Sequence, residues 1–306
     1  MNEPKIFFGA ADAPKRIAIL GVPFDSASTL GWPGARYAPA RIRTALGWNL
    51  NRVQDGAFYD VDAGRVICMN DYAVVDYGDC FVHGADHLKT LENARQLMAA
   101  ALQAGAFPIA LGGAHEVSIP LLQAFHDCTE GPLGIIHVDA HLDLVDENPR
   151  QGRHSGSSPM RRALEMGRYS PQRLVQVGVR GFNYAHQYDY IQRMGIHHVT
   201  ASRFHEIGAK EAAQLALEKA AAGGARVYLS LDIDVFDYPF APGAGADEAG
   251  GLISAQVLQF LREVAPHIGA MDIVEVNPLI DRRDVTSSLA AQIIFTVIAA
   301  RVAAGV

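Results

Sequence analysis

The sequence predicts an α/β fold, a mostly parallel sheet with helices on both faces. Three observations predict it. Along the 306 residues, short apolar runs that read as buried strands alternate with stretches of helical periodicity. Roughly eight such strands can be counted. Three of them end in acids and histidines, as expected where the carboxyl ends of parallel strands border a ligand crevice.

Residues 1–15 read as an irregular arm. The first predicted strand is Arg16-Ile17-Ala18-Ile19-Leu20-Gly21-Val22-Pro23. A loop rich in small residues, 24–37, follows and contains Gly31-Trp32-Pro33-Gly34. Pro39 suits the first turn of a helix ending near Gly47. Residues 48–72 predict only short strands and turns, and 72–78 another strand. Leu88, Leu91, Leu97, Met98 and Leu102 form a helical stripe closed by Gly105. Pro108-Ile109-Ala110-Leu111 is a strand, followed by a glycine turn, and Pro120 opens a helix that Ser118 can cap.

Gly134-Ile135-Ile136 leads, as a buried strand, into His137-Val138-Asp139-Ala140-His141-Leu142-Asp143. A polar loop, 144–158, precedes a helix over 160–166, a strand over 174–180, a short helix over 188–194 and a short strand over 197–200. The Ala- and Glu-rich stretch 209–222 predicts a helix stopped by Gly223-Gly224. Val227-Tyr228-Leu229-Ser230-Leu231-Asp232-Ile233-Asp234 is the next strand. Ser254 can cap a helix reaching Ala265, 270–276 is the last strand, and 287–303 a closing helix.

Asp139, His141 and Asp143 occupy alternate positions. In an extended chain alternate side chains share one face, so one strand end would aim all three at one point. Such crowding is costly without a cation. The competing reading is a solvated loop with chance acids. Asp232 and Asp234 repeat the pattern, and His115 follows the turn Gly112-Gly113-Ala114. Six ligands are too many for one catalytic zinc, which usually takes three. They suit two divalent ions sharing carboxylates, roughly 3.5–4 Å apart. Mixed oxygen and nitrogen donors point to manganese first, with nickel, cobalt or iron as alternatives.

The predicted ligands run from His115 to Asp234, with no low-complexity linker and no internal repeat, so one domain over 1–306 is expected. Nearly half the residues are apolar, enough for a sizeable core. No apolar run reads as a membrane span, and residues 1–14 lack the pattern of a signal peptide. A cytoplasmic protein is expected, without a membrane partner. Cys68, Cys80 and Cys128 are an odd number without metal spacing and read as reduced thiols. The net charge of −7 and the lack of a basic stripe argue against nucleic acid.

At these residues the sequence resembles the ureohydrolase family of arginase, agmatinase, guanidino-acid hydrolases and formimidoylglutamase. Four motifs carry the resemblance, in the family's order: Gly112-Gly113-Ala114-His115, Asp139-Ala140-His141-Leu142-Asp143, Ser230-Leu231-Asp232-Ile233-Asp234 and Glu275-Val276-Asn277-Pro278. Supporting matches include Val177-Gly178-Val179-Arg180-Gly181 and Gly250-Gly251-Leu252. The agmatinase-like pieces are Met160-Arg161-Arg162-Ala163 and Phe240-Ala241-Pro242-Gly243. The resemblance implies a three-layer α/β/α sandwich around an eight-stranded parallel sheet, assembled as a homotrimer or homohexamer.

It also implies two Mn2+ ions. One would be held by His115, Asp139, Asp143 and Asp232, the other by His141, Asp139, Asp232 and Asp234. A hydroxide bridging them would attack the amidine carbon of a small guanidino compound. Asp143 would orient it, and Glu275 would pair with the guanidinium, a fork suited to a carboxylate. Urea and an amine would leave.

The sequence departs from the family at Ala114 and Glu116, the latter as in formimidoylglutamase, and at Gly245-Ala246-Asp247-Glu248, where a threonine is missing. The segment His154-Ser155-Gly156-Ser157-Ser158-Pro159 is one residue longer than the family's proton-shuttle segment. His154 is a candidate shuttle or a loop histidine.

The expected specificity loops are 24–36 and 144–158. Asp146 and Glu147 could meet a cationic tail; Arg150 and Arg153 could meet a carboxylate tail. Trp32 is either a pocket wall or a subunit contact. Agmatine, cleaved to urea and putrescine in polyamine metabolism, is the first expectation. Alternatives are a guanidinobutyrase- or guanidinopropionase-type guanidino-acid hydrolase and a formimidoylglutamase releasing formamide. A single-zinc deacetylase on a related fold is the alternative from another class. His83, His87, His126, His186, His197, His198, His205 and His267 read as structural or surface groups.

Overall fold

The computed structural model describes residues 4–10, 12–26 and 32–306. Its strands are β1 (Lys5–Phe8), β2 (Lys15–Gly21), β3 (Ala57–Asp60), β4 (Arg65–Cys68), β5 (Tyr72–Asp79), β6 (Phe107–Leu111), β7 (Leu133–Val138), β8 (Tyr169–Val177), β9 (His197–Val199), β10 (Arg226–Asp232) and β11 (Ile268–Val274). Its helices are α1 (Ala38–Leu50), α2 (His87–Gln103), α3 (Ser118–Cys128), α4 (Pro159–Leu164), α5 (Ala185–Met194), α6 (Ala201–Ala220), α7 (Ser254–Val264) and α8 (Val285–Ala304). Nine strands form one sheet in the order β1-β5-β2-β6-β11-β10-β7-β8-β9. All neighbours are parallel except β1, which runs antiparallel on β5. The expected eight parallel strands are present. The arm read at 1–15 is corrected: its Lys5–Phe8 segment caps the sheet edge as a strand.

Both faces are covered, which is why these strands read as continuous apolar runs. Along β2, Ile17 and Ile19 pack toward α1, α6, α7 and α8, while Ala18 and Leu20 pack toward α2, α3, α4 and α5. The result is three layers, helix on sheet on helix.

Local chemistry sets the helix starts. The Asp86 side chain accepts from the Lys89 N–H at 3.0 Å and caps α2. Thr200 does the same for Arg203 at the start of α6. That helix begins earlier than Ala209 because the chain bends at Gly208, with φ 79°, rather than ending there. Neither Ser118 nor Ser254 caps its helix; each is the first helical residue instead. The expectation of no membrane-length run also needs correction. The stretch 282–304, holding α8, is long and apolar enough to cross a bilayer by length and composition. It is apolar all round because α1, α7 and the sheet bury it.

Register then places the site. β10 pairs with β7 through Leu231 and Val138, and with β11 through Asp232 and Val274; β6 pairs with β11 through Leu111 and Ile273. The carboxyl ends of four adjacent strands, β6, β11, β10 and β7, therefore lie level at mid-sheet.

Gly134 on β7 lets α6 approach: a Cβ there would lie 2.0 Å from the Ala220 carbonyl oxygen. Gly134→Ala is expected to cost about 1–3 kcal/mol by forcing helix and strand apart. Urea denaturation should show a lower midpoint at unchanged slope. A midpoint equal to the parent's would mean that this approach is not a tight one.

Candidate metal centre

β7 ends at Val138, and 139–143 turn in bends rather than continuing as strand. The expectation that an extended segment aims Asp139, His141 and Asp143 at one point is corrected. The bend is built by side-chain acceptors: Asp139 Oδ1 takes the His141 N–H, and Asp234 Oδ1 takes the Ala140 N–H at 3.1 Å. Asp143 sits at φ 50°, a left-handed conformation uncommon for a non-glycine residue. Asp234 likewise lies past its strand, in a short 3-10 turn whose N–H bonds Asp232 Oδ1 at 2.9 Å. His115 opens a similar turn after β6.

All six sequence-predicted ligands converge. His115 Nδ1 lies 3.2 Å from Asp139 Oδ2, 2.8 Å from Asp143 Oδ2 and 3.1 Å from Asp232 Oδ2. His141 Nδ1 lies 3.0 Å from Asp234 Oδ2 and 3.5 Å from Asp139 Oδ1. Asp139 and Asp234 are buried, as are His115, Asp143 and Asp232. Burial, then the charges of Asp234 and Asp139, push the Asp232 carboxyl well above its ordinary range. Burial also raises Asp234, with Asp139 adding to it. Burial works in the same direction on Asp139, but His137, His115 and His141 outweigh it and hold that carboxyl well below the usual range.

This arrangement suits cations. His115 Nδ1 and Asp139 Oδ2 are buried without a hydrogen-bond partner among the described residues. The polarity of His115 is set from behind. Asp272 is fully buried and accepts the Tyr228 hydroxyl at 2.7 Å and the Ser230 hydroxyl at 2.8 Å. Ser230, its proton committed to Asp272, accepts from His115 Nε2 at 3.1 Å. The hydrogen therefore sits on Nε2, and the Nδ1 lone pair faces the carboxylates. Such an outer partner behind a ligand imidazole is the usual device for fixing its tautomer.

Two groups of donor atoms fit a metal ion: His115, His137, Asp139 and Asp143, and Asp139, His141 and Asp234. Asp139 belongs to both. His137 was not foreseen, although it shares the parity of the Asp139–His141–Asp143 series; its Nε2 lies 2.8 Å from Asp139 Oδ2. Nor was its partner chain. Gln176 reaches His137 Nδ1 at 2.9 Å, and His198, read from sequence as structural or surface, reaches Gln176 Oε1 at 3.0 Å.

Glu275, at φ 63°, stands at the end of β11 between the ligand strands. Its Oε1 accepts the His115 backbone N–H at 2.7 Å, and its own N–H bonds the Gly113 carbonyl at 2.9 Å. Burial pushes its carboxyl up to about 7 against the pull of that His115 N–H. Gly113 permits the junction: a Cβ there would lie 1.7 Å from the Phe24 carbonyl oxygen.

A cavity of about 490 Å³ opens on the cluster. Glu275, Asp143, Asp232 and Asp234 line its floor with His115 and His141; Leu142, Val145, Ser157, Phe182, Asn183, Tyr184 and Gln187 line its walls. The wall from Phe182 to Gln187 was missed in sequence; its signal was the Arg180-Gly181 motif just before it. The expected specificity residues fare differently. Asp146 is tied to Arg153, Arg162 and Arg161, and Arg153 also to Glu165. None of these lines the cavity, nor do Glu147, Arg150 or Trp32. Positions 27–31 of the other expected loop lie outside the described residues. Glu116 is fully buried, 3.7 Å from His87, and also off the lining.

His154, read as a candidate shuttle or a loop histidine, lies beside His87, ring centroids 6.5 Å apart, and does not line the cavity; Gly156 and Ser157 of the same segment do.

A carboxylate–imidazole cluster at the mouth of a parallel sheet, beside a pocketed glutamate, is a candidate metal centre, and the similarity to known proteins makes the chain a hydrolase of guanidino or amidino compounds. The Arginase family matches residues 15–300, and the chain belongs to that family. It is 35% identical over 282 residues to proclavaminate amidinohydrolase of Streptomyces clavuligerus, covering 90% of this chain and 85% of that one. It is 33% identical over 288 residues to guanidinopropionase of Pseudomonas aeruginosa, covering 92% and 86%. The structure of a hypothetical agmatinase from Burkholderia thailandensis superposes with a TM-score of 0.81 at 31% identity, covering 95% of this chain and 87% of that one. Enzymes of the family use a binuclear metal centre.

The outer shell makes a prediction in pH. Burial, with His137 and His197 adding to it, pushes His198 down from 6.5 to about 4. The unfolded chain binds this proton first, so the stability from neutral His198 is complete above about pH 6.5 and is lost as pH falls toward 4. The loss is on the order of 3 kcal/mol at most. His198→Gln should flatten this part of the slope in urea denaturation of metal-free protein between pH 7 and 4.5. Parallel slopes in parent and variant would assign the loss elsewhere.

Proposed function

We propose that the protein is a binuclear-metal amidinohydrolase that releases urea and an amine from a small linear guanidino compound with a cationic or neutral tail, agmatine first. The observation that carries the choice of tail is the cavity lining. Among the described residues it contains no lysine or arginine. Arg180, the nearest candidate cation by sequence, spends its guanidinium on the carbonyls of Asp234, Val235 and Glu248. A carboxylate tail would enter without a partner, an unfavourable burial.

In this reading His115, Asp139, Asp143 and Asp232 hold one ion, and His141, Asp139, Asp232 and Asp234 the other, with Asp139 and Asp232 shared. Two divalent ions held there would lower the pKa of a water nucleophile toward neutral and would polarise the amidine. Manganese is the metal proposed first, from the oxygen-rich donor set. The chain does the rest. Asp143 accepts a hydrogen bond from the nucleophile and orients it. Glu275, fixed on the His115 turn, receives the substrate guanidinium as a charge-assisted pair. Leu142, Val145, Phe182 and Tyr184 give the substrate stem apolar walls.

We further read 1–306 as one catalytic domain acting in the cytoplasm as a homotrimer or homohexamer. Supporting this, α1 and α8, from opposite ends of the chain, pack together. The three cysteines are unpaired. Exposed Trp48, Tyr59, Val61 and Val66 offer an apolar contact face on and beside the β3–β4 hairpin.

Asp139→Ala and Asp232→Ala are expected to abolish turnover and to bring bound metal below two ions per chain. Two ions and full activity in either would sink the shared-carboxylate assignment. Glu275→Gln should retain both ions and lose kcat/KM by at least about a hundredfold; an unchanged kcat/KM would remove its guanidinium role. For the substrate, the manganese-loaded enzyme should release urea from agmatine in preference to 3-guanidinopropionate, 4-guanidinobutyrate and arginine. Urea from a guanidino acid alone, or formamide from N-formimidoylglutamate, would overturn the choice of tail.

A further inference from the structure

His115 and His137 are neighbouring buried imidazoles, ring centroids 5.3 Å apart, and both present a nitrogen to Asp139 Oδ2. By position either could be a ligand, and both belong to one candidate metal group. Distance does not separate them. His137 Nε2 and Asp139 Oδ2 are 2.8 Å apart, yet neither has a hydrogen bond of good angle. The far sides of the two rings do separate them.

Behind His137 stands Gln176, buried on β8, one strand over and level in register. Its nitrogen lies 2.6 Å from the Leu142 carbonyl oxygen and 2.9 Å from His137 Nδ1. Its oxygen lies 3.0 Å from His198 Nε2. A carbonyl can only accept, so the amide group facing Leu142 must be the NH2. Turning the amide over would press two oxygens together at that distance. The same NH2 then donates its second hydrogen to His137 Nδ1, and His198 donates to the amide oxygen. His137 Nδ1 is thus the acceptor, which leaves the ring hydrogen on Nε2. A nitrogen that carries its hydrogen has no lone pair for a metal. His115, backed by an acceptor hydroxyl, carries its hydrogen on Nε2 as well, but there Nε2 faces Ser230 and the Nδ1 lone pair faces Asp139.

We infer that His137 is not a metal ligand but a positioning residue, whose Nε2–H, fixed by Gln176, faces Asp139 Oδ2 at contact distance and steadies that carboxylate electrostatically as it serves two ions. Gln176 and His198 form the relay that keeps the ring in that tautomer. Asp139 is the carboxylate common to both donor groups, so its rotation is the one most in need of an outer hold. The inference rests on the two-ion reading of the centre.

The test uses manganese alone on the full chain, with ions per chain from elemental analysis and affinity from calorimetry. His137→Gln keeps an amide N–H near the Nε2 position but offers no imidazole. It is expected to bind two ions with affinity within a few-fold of the parent. His137→Leu, lacking the donor, and Gln176→Leu, lacking the lock, are expected to bind manganese roughly 10–100-fold more weakly. Loss of one ion in His137→Gln, matching His137→Leu, would make His137 a ligand and overturn the inference. Parent-like affinity in both leucine variants would overturn it from the other side. If His137→Leu does not fold, Gln176→Leu carries the same comparison with the histidine intact. A parent protein that does not bind two ions would instead refute the two-ion reading itself.

Discussion

The structure depends on a crowd of like charges. Asp139, Asp143, Asp232 and Asp234 meet around two imidazoles in a space largely closed to water. Carboxylates so placed repel one another and lose hydration, so they stay together only where protons or cations compensate. Much of the surrounding architecture holds this arrangement against its own repulsion. Four parallel strands end level, so their following turns face one another. Backbone N–H groups of Ala140, His141 and Asp234 are spent on the carboxylates. Left-handed backbone at Asp143 and Glu275 is tolerated where ordinary loops would avoid it.

Around that centre the protein uses neutral groups with fixed polarity. Ser230 and Gln176 each face one imidazole, one as acceptor and one as donor. They assign the hydrogens of His115 and His137 without adding charge beside the cluster. Behind this shell the buried Asp272 is bonded on both oxygens by hydroxyls of Tyr228 and Ser230. A buried polar network of this kind is stabilising only when its members are satisfied.

The walls of the cavity tell a different story from its floor. Asp146 and Arg153 of the 144–158 loop are consumed in an ion-pair cluster with Arg161, Arg162 and Glu165. What reaches the substrate space is apolar or neutral and comes partly from the β8–α5 connection. The cavity thus presents apolar, amide and hydroxyl groups around a strongly polar floor. This agrees with a family whose members carry different substrate names on one centre.

The sequence by itself determined the parallel sheet, the strands that carry chemistry, the six converging carboxylates and imidazoles, and Glu275. Strands buried on both faces read as apolar runs, and divalent metals draw on a short list of donor side chains such as Asp and His, so both leave marks in residue type and spacing. Only tertiary structure decided the rest. His137 and Gln176 lie far apart in sequence but level on adjacent strands, and nothing in their types announces a hydrogen bond. Asp139 to Asp143 converge through a bend held by Asp234, from another strand, where alternation alone suggested an extended segment. His154 lies beside His87 and off the cavity, and ion pairing withdraws Asp146 and Arg153. Sequence records which groups are present; which of them are free to act depends on partners that only the folded chain brings within reach.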